Sequence, residues 1–165
     1  MTENSGSKTL DDLDRIILQE LQANSRISNV ELARQVNLSP PAVHARVRRL
    51  EQLGYIAQYT ALLDWEKLGY TMLCFIHVQL QMHQLEHVGR FRQAVSQMPE
   101  VLECHHVTGE HDYLLKVAIR DRKDLERFVM DQLTPISGVA RIYTSLVLSQ
   151  IKSTTVLPLA SPNPE

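Results

Sequence analysis

Residues 28–54 read SNVELARQVNLSPPAVHARVRRLEQLG, and this stretch decides the fold of the N-terminal part of the chain. Its first four residues fit a capping box, because the Ser28 hydroxyl accepts a hydrogen bond from an unpaired amide while the Glu31 carboxylate reaches back. Asn37 tolerates the left-handed backbone of a tight turn. Ser39 then caps a second helix, whose opening prolines lack only amides that a first turn leaves unpaired. The stretch therefore predicts two helices joined by a short turn.

Apolar spacing extends this pattern on both sides. A preceding helix is predicted by apolar residues at helical intervals, namely Leu10, Leu13, Ile17 and Leu21. Gly54 ends the last helix. Three such helices form a helix-turn-helix domain, which we place at residues 10–60. Residues 55–56 and 59–63 are expected to be extended, as a wing or connecting strand, and residues 61–71 form the predicted linker.

From Met72 onward the apolar period changes from helical to alternating, which is typical of strands. We predict strands over residues 72–82, 101–108, 112–119 and 139–151, and helices over 85–98 and from 121 or 122 to 133. The order β-α-β-β-α-β is that of a ferredoxin-like split βαβ domain, placed at residues 72–152. The expected fold class is α+β. Residues 1–9 are expected to be a disordered tail and residues 153–165 a loosely ordered tail with few anchors.

The composition excludes several classes of protein. The chain has 165 residues, of which 44% are hydrophobic and 22% charged, as in an ordinary globular protein. No apolar run approaches the roughly 18–20 residues that span a bilayer, so we expect no membrane partner. Two cysteines, Cys74 and Cys104, are too few for a disulfide scaffold, and we therefore expect the reducing cytoplasm.

The basic charge of the chain is concentrated around the predicted helix-turn-helix. The net charge is −2, but residues 26–60 hold five arginines against two glutamates, which indicates an anion-binding surface. Small residues on the outer face of the last helix would let it lie close to the floor of a major groove about 12 Å wide. The alternative is that the arginines form a solvated helix face. The candidate DNA-contacting residues are Ser39, Pro40, Pro41, Ala42, His44, Ala45, Arg46, Arg48 and Arg49.

The turn between the second and third predicted strands has two interpretations. The residues alone favour an ordinary β-turn, with Gly109 for backbone freedom and Asp112 for a side-chain cap. Alternatively, its free amides and carboxylate bind the charged ends of a zwitterion such as an amino acid. His105 and His106 must point to opposite faces of a strand, so we expect no metal site, and we expect no cofactor. The sequence contains no catalytic motif, and we expect no enzymatic activity.

Short motifs are spaced along both halves of the chain. Arg-Ile-Ser-Asn-Val-Glu-Leu-Ala, Leu-Ser-Pro, Arg-Val-Arg-Arg-Leu-Glu and Gly-Tyr-Ile occur in the first half. Glu-Cys-His, Val-Thr-Gly-x-x-Asp-Tyr-Leu-Leu and Pro-x-x-Gly-Val follow in the second. Over residues 10–152 the chain resembles the Lrp/AsnC, or feast/famine, transcription regulators. Its second part is similar to the amino-acid-sensing RAM domain of that family.

The resemblance implies a regulator that binds double-stranded DNA and senses an amino-acid effector where dimers meet. It also implies a homodimer, formed through the sheet, that assembles into a tetramer or an octamer. Carried over by position, the effector-binding residues are Val107, Thr108, Gly109, His111 and Asp112 in the turn, and Leu133, Thr134, Ile136 and Ser137 in the loop after the last helix.

Two alternative functions remain at this point. One is a metabolite-binding ferredoxin-like protein whose N-terminal helices mediate protein contacts, and the other is a dimeric regulator without an effector. Residues 41–44 and 110–111 fall in variable parts of the family pattern. The identity of the effector and the operator sequence therefore do not follow from the resemblance.

Overall fold

The structure is a computed structural model that describes residues 10–81 and 85–159. This part of the chain forms two compact units. The N-terminal unit contains the described residues up to Leu62 together with residues 152–159, and the sheet unit contains those from Leu63 to Ile151. The predicted tail at residues 1–9, the end of the first predicted strand at Met82, and residues 160–165 lie outside the described residues.

Three helices build the N-terminal unit, and their starts follow the predicted capping chemistry. They are α1 (Asp12–Ala23), α2 (Asn29–Gln35) and α3 (Pro40–Gln52). The capping box of α2 is confirmed, because the Glu31 amide donates to the Ser28 hydroxyl at 3.2 Å and the Ser28 amide donates to the Glu31 carboxylate at 3.0 Å. Asn37, in the turn before α3, has a φ of 52°, as predicted for a left-handed residue. Local sequence chemistry therefore fixes the helix-turn-helix.

An apolar core holds these three helices together. Side chains from all three are buried, namely Ile17, Leu18, Leu32, Ala33, Val36, Val43 and Leu50. Apolar burial of this kind stabilises a small unit at about 25 cal/mol per Å² of area removed from water. The same core includes one charged side chain, Asp14, whose exposure is 0%.

The predicted wing or connecting strand is wrong for the described structure, in which residues 55–63 form no strand. Instead, the Gly54 amide donates to the Glu51 carbonyl at 3.0 Å, and the Tyr55 amide donates to the Leu50 carbonyl at 2.9 Å. Gly54 has a φ of 78°, so these bonds form the Schellman motif that ends α3. The backbone groups that would start a strand ladder are used to terminate the helix.

The sheet unit has the predicted ferredoxin-like topology. Its elements are β1 (Met72–Leu80), α4 (Leu85–Ser96), β2 (Val101–His106), β3 (Tyr113–Ile119), α5 (Arg122–Arg127) with a π-helical continuation (Phe128–Leu133), and β4 (Val139–Leu146). The strand order is β2-β3-β1-β4, and every neighbouring pair is antiparallel. The α+β class is therefore confirmed.

Alternation along the strands separates the two faces of this sheet. The buried face of β1 carries Cys74, Ile76 and Val78, which pack with Phe91 of α4 and Phe128 of the π-helical continuation. The opposite face carries the partly exposed intervening residues of β1. One face of the sheet therefore forms the core, and the other is left open in a single chain.

The last predicted strand is shorter in the structure than expected. β4 ends at Leu146 rather than at residue 151: Leu146 pairs with Cys74 of β1, and the Val147 amide still donates to the Leu73 carbonyl at 2.9 Å. Residues 153–159, in the predicted loose tail, form no helix or strand, and Leu157 is held to α1. The Gln22 side-chain amide exchanges two hydrogen bonds with the Leu157 backbone, at 2.7 and 3.2 Å.

Candidate functional site

The outer face of α3 presents seven of the nine candidate DNA-contacting residues. Val43 and Leu50 have 0% exposure and face the core. Of the seven, Ala42 is half-buried, and the exposed residues are Ser39, Pro40, Pro41, His44, Ala45 and Arg48. The helix therefore displays a face of small residues with one imidazole and one guanidinium group.

The other two arginines of α3, Arg46 and Arg49, face α1. The Arg46 Nη1 donates to Asp11 Oδ2 at 2.6 Å and to Asp14 Oδ1 at 2.8 Å. Arg49 is paired with the second carboxylate oxygen of Asp14. Although burial raises the pKa of Asp11, the hydrogen bonds from Arg46 and the Asp14 amide hold it below its ordinary value. The hydrogen bond to Asp11 raises the pKa of Arg46.

This ion-pair cluster was not predicted from the sequence, although the sequence carries a signal for it. Asp14 lies four residues after Leu10 and three before Ile17, which places a carboxylate within the apolar face of α1. A buried carboxylate requires a charged or hydrogen-bonding partner. The arginines of α3 supply that partner. Their contact with DNA stays a prediction.

A shallow groove of about 540 Å³ lies beside the exposed face of α3. His44 and Arg48 line it from α3, and Tyr59 lines it from the segment that follows. The Tyr59 hydroxyl donates to the Glu51 carboxylate at 3.0 Å. Burial, together with this hydrogen bond, raises the pKa of Tyr59 to about 12, so the hydroxyl keeps its proton. The chain after α3 thus folds back beside the helix instead of pairing as a strand.

The turn between β2 and β3 is anchored to the end of β1 through Asp112. The Asp112 amide donates to the Val78 carbonyl at 3.0 Å, and the Leu80 amide donates to the Asp112 carboxylate at 2.8 Å. The Val107 amide closes the turn on the Asp112 carbonyl at 3.0 Å. Gly109 has a φ of 119°, a conformation that favours glycine. These bonds support the β-turn interpretation, and residues 108–110 of the turn are exposed.

The predicted site residue His111 belongs to a cluster of rings at the same end of the sheet. Its ring centroid lies 4.8 Å from that of His77 and 5.0 Å from that of Tyr143. The Nδ1 atom of His111 is buried and has no hydrogen-bond partner within the described part of the chain. His106 instead stacks on Tyr113, with ring centroids 5.0 Å apart.

The second predicted set of effector residues lies partly in the core. Leu133 has 0% exposure, and Ile136 packs against the same core. The Thr134 hydroxyl donates to the Val129 carbonyl at 2.7 Å, and the Ser137 hydroxyl lies 3.3 Å from His87 Nδ1. In one chain, Thr134 and Ser137 are therefore the exposed members of this set.

The turn and this loop lie at the same end of the sheet. Consecutive amides of β1 and the residue after it connect the two segments. The Leu80 amide bonds to the Asp112 carboxylate, and the Gln81 amide donates to the Gly138 carbonyl at 2.7 Å. The structure thus brings the two predicted sets of effector residues to one end of the sheet. Some of their side chains are exposed there, whereas Leu133 is buried.

The described residues offer neither a metal-binding cluster nor a membrane-spanning helix. These residues contain no group of three or more histidine, cysteine, aspartate or glutamate side chains placed to hold a metal ion. His105 pairs with Glu103 at 3.0 Å. Cys74 is buried, which raises the pKa of its thiol, and Cys104 is exposed. Within the same residues, no helix has the length and apolarity needed to cross a lipid bilayer.

A capped helix-turn-helix unit joined to a ferredoxin-like sheet unit defines a class of DNA-binding regulators with a separate ligand-binding domain. Two family models match: a winged helix-turn-helix DNA-binding model over residues 10–57, and the Lrp/AsnC ligand-binding domain over residues 73–157. The chain belongs to the Lrp/AsnC family of transcription regulators.

Individual relatives agree with this assignment over nearly the whole chain. The leucine-responsive regulatory protein of Escherichia coli K12 is 40% identical over 150 residues, which cover 91% of this chain and 92% of the relative. A transcriptional regulator of Neisseria meningitidis, solved with L-Met, is 41% identical with a TM-score of 0.88, covering 91% and 97% of the two chains. An AsnC-family regulator of Agrobacterium tumefaciens is 34% identical with a TM-score of 0.85, covering 90% and 97%.

Proposed function

We propose that the chain binds double-stranded DNA sequence-specifically through α3, and that an amino-acid effector bound in the sheet unit changes this binding. One observation carries the DNA-binding part. The capped N-terminal half of α3 exposes small residues together with His44 and Arg48, as a helix that enters a major groove requires.

We call the exposed side of α3 the reading face; it carries Pro40, Pro41, His44, Ala45 and Arg48, and each of them has a proposed role. Ala45 and the prolines allow close approach, Arg48 reaches a guanine edge or a phosphate, and His44 contacts a base. Ser39 lies at the N-terminus of α3, where the helix dipole favours a phosphate, although Pro40 and Pro41 have no amide hydrogen and the Ala42 amide is used on the Ser39 hydroxyl. Arg46 keeps further N–H groups beyond those used on Asp11 and Asp14, and we direct these to the DNA backbone, whereas Arg49 acts through its pairing with Asp14.

The proposed effector is an amino acid, because the Neisseria meningitidis relative was solved with L-Met. We place it at the end of the sheet. There the proposed contacts are Val107, Thr108, Gly109, His111 and Asp112 of the turn, and Leu133, Thr134, Ile136 and Ser137 of the loop. The exposed residues of both sets would contact the effector directly, and the buried ones would shape the wall behind it.

The proposed active form is a homodimer that assembles further into a tetramer or an octamer. Linked DNA-binding units raise the effective concentration of each at neighbouring half-sites. An effector bound between dimers shifts activity only through unequal affinity for two assembly states. We place this regulator in the cytoplasm, where its DNA is, and assign it no enzymatic activity.

Two measurements on the wild-type protein test this proposal. Its affinity for duplexes selected from a random library should exceed its affinity for unselected duplexes, and it should fall steeply as salt rises, because bound phosphates release counterions. Sedimentation with and without each of the twenty amino acids at millimolar concentration should show a change in assembly for at least one. Salt-independent or absent DNA binding would contradict the DNA-binding part, and unchanged sedimentation and DNA affinity would contradict effector sensing.

A further inference from the structure

A carboxylate in the core of the N-terminal unit faces the back of the DNA-reading helix. Asp14 lies in the first turn of α1, its side chain has 0% exposure, and both of its oxygens are occupied. One accepts from Arg46 at 2.8 Å, and the other accepts from Arg49 and, at 3.2 Å, from the Asp11 amide. A buried carboxylate is costly unless it is paired and hydrogen-bonded in this way.

The partners of Asp14 fix a direction on α3. Consecutive helical residues are rotated by about 100°, so Arg48 lies about 200° away from Arg46 around the helix axis. Holding Arg46 and Arg49 on Asp14 therefore turns Arg48 away from α1. The structure has this arrangement, since Arg48 is exposed while the other two arginines are half-buried.

The apolar contacts between α1 and α3 fix the rotation of α3 less well than the hydrogen bonds to Asp14 do. Ile17, Val43 and Leu50 are fully buried, but apolar attraction is non-directional and tolerates rotation of a helix against its neighbour. Hydrogen bonds from planar guanidinium groups depend strongly on angle. The ion-pair cluster is the directional contact between the two helices.

We propose that Asp14 is a positioning residue for DNA recognition, which, through Arg46 and Arg49, fixes the rotation of α3 and hence the direction of Arg48 and His44. This inference rests on the proposed function. It assigns to an acidic residue, distant from the reading face, a role in sequence selectivity. It also predicts that Arg49 affects sequence selectivity by pairing with Asp14, and not by binding a phosphate.

Charge and positioning predict opposite effects on DNA binding when Asp14 is substituted. Asp14→Asn removes a negative charge and the ion-pair partner of Arg49, while Arg46 keeps Asp11, and this should strengthen non-specific binding to DNA. Loss of positioning should instead weaken binding to a selected sequence. Asp12→Asn removes the same charge from an exposed position on the same helical turn, and is therefore the matched control.

The experiment uses full-length protein, a duplex that the wild type selects from a random-sequence library, and an unselected duplex of equal length. We expect the ratio of the two affinities to fall about tenfold in Asp14→Asn, a change of about 1.4 kcal/mol, and to be unchanged in Asp12→Asn. Arg49→Gln leaves Asp14 paired with Arg46, and so tests the proposal even if Asp14→Asn does not fold. Its ratio should fall while the slope of log affinity against log salt stays the same.

The outcomes separate this inference from the proposed function. A wild-type protein that selects no duplex overturns both. If the wild type selects a duplex, an unchanged ratio in Arg49→Gln overturns the positioning role alone. The same holds if the salt slope of Arg49→Gln falls by about 0.9, because that is the value of one lost phosphate contact.

Discussion

The N-terminal unit and the sheet unit differ in how much of their proposed site one chain completes. The reading face of α3 is displayed in full, with His44 and Arg48 exposed and the remaining arginines held on Asp14. The proposed effector site is only partly displayed, since Leu133 is buried and the turn is anchored on Asp112. The proposed DNA contacts thus lie within one folded unit. The proposed effector site, placed between dimers, would need a second surface.

The largest expected effect is at Leu133, and it distinguishes a packing role of this side chain from direct contact with the effector. Because this side chain is fully buried in the core of the sheet unit, Leu133→Ala should lower the free energy of unfolding by about 2–5 kcal/mol. Urea unfolding measures the change, and Leu133→Met, which conserves volume, is the control. Loss of effector response without loss of stability would show that Leu133 contacts the ligand directly.

Asp112→Ala should remove the anchor of the turn. The Leu80 amide would lose a charged acceptor, which should lower the free energy of unfolding by about 1.5–3 kcal/mol. The response of sedimentation to amino acids should be lost as well. Glu110→Ala, at an exposed position of the same turn, should keep both. An Asp112→Ala protein that still responds to amino acids would remove this residue from the proposed site.

The contacts of residues 152–159 are expected to contribute less to the free energy of unfolding of the N-terminal unit. Gln22→Ala removes two hydrogen bonds to the Leu157 backbone and should destabilise the unit by about 1 kcal/mol. Gln35→Ala, at an exposed position of α2, is the matched control and should have no comparable effect. If the two variants unfold at the same urea concentration, the segment contributes nothing to the stability of the N-terminal unit.

Acid should weaken the N-terminal unit by the smallest amount. The pKa of Asp11 is lower in the folded state, so its contribution is present above the unfolded value of about 3.9 and is lost as pH falls through the lowered folded value. Because Asp11 is half exposed, we expect only about 0.2–1 kcal/mol. Urea unfolding between neutral pH and acid should show a weaker pH dependence for Asp11→Asn than for wild type. Equal pH dependence in the two proteins would contradict the assignment.

Features fixed by neighbouring residues could be predicted from the sequence, as the helix-turn-helix shows. Ser28, Glu31 and Asn37 each act within a few residues of their own position, and all three behave as expected. The ferredoxin-like order also follows from periodicity, because each strand and helix carries its own pattern.

Features that depend on distant partners could not be predicted in the same way. The pairing of Asp14 with Arg46 and Arg49 joins residues more than thirty positions apart. β4 ends at Leu146, opposite Cys74 of β1, and the apolar pattern of residues 147–151 does not mark this end. The expected strand after α3 failed because its first amides end the helix instead. The candidate site residues remain predictions for the same reason, since their partners are DNA and an effector.

Arg48 is the exposed guanidinium group through which α3 is proposed to read DNA. Binding of wild type and Arg48→Ala to a duplex selected by the wild type should be measured together with all single-base variants of that duplex. We expect Arg48→Ala to lose about 1–3 kcal/mol of binding free energy and to relax the preference at one base pair. Unchanged affinity and unchanged preference at every position would show that this face of α3 does not read DNA.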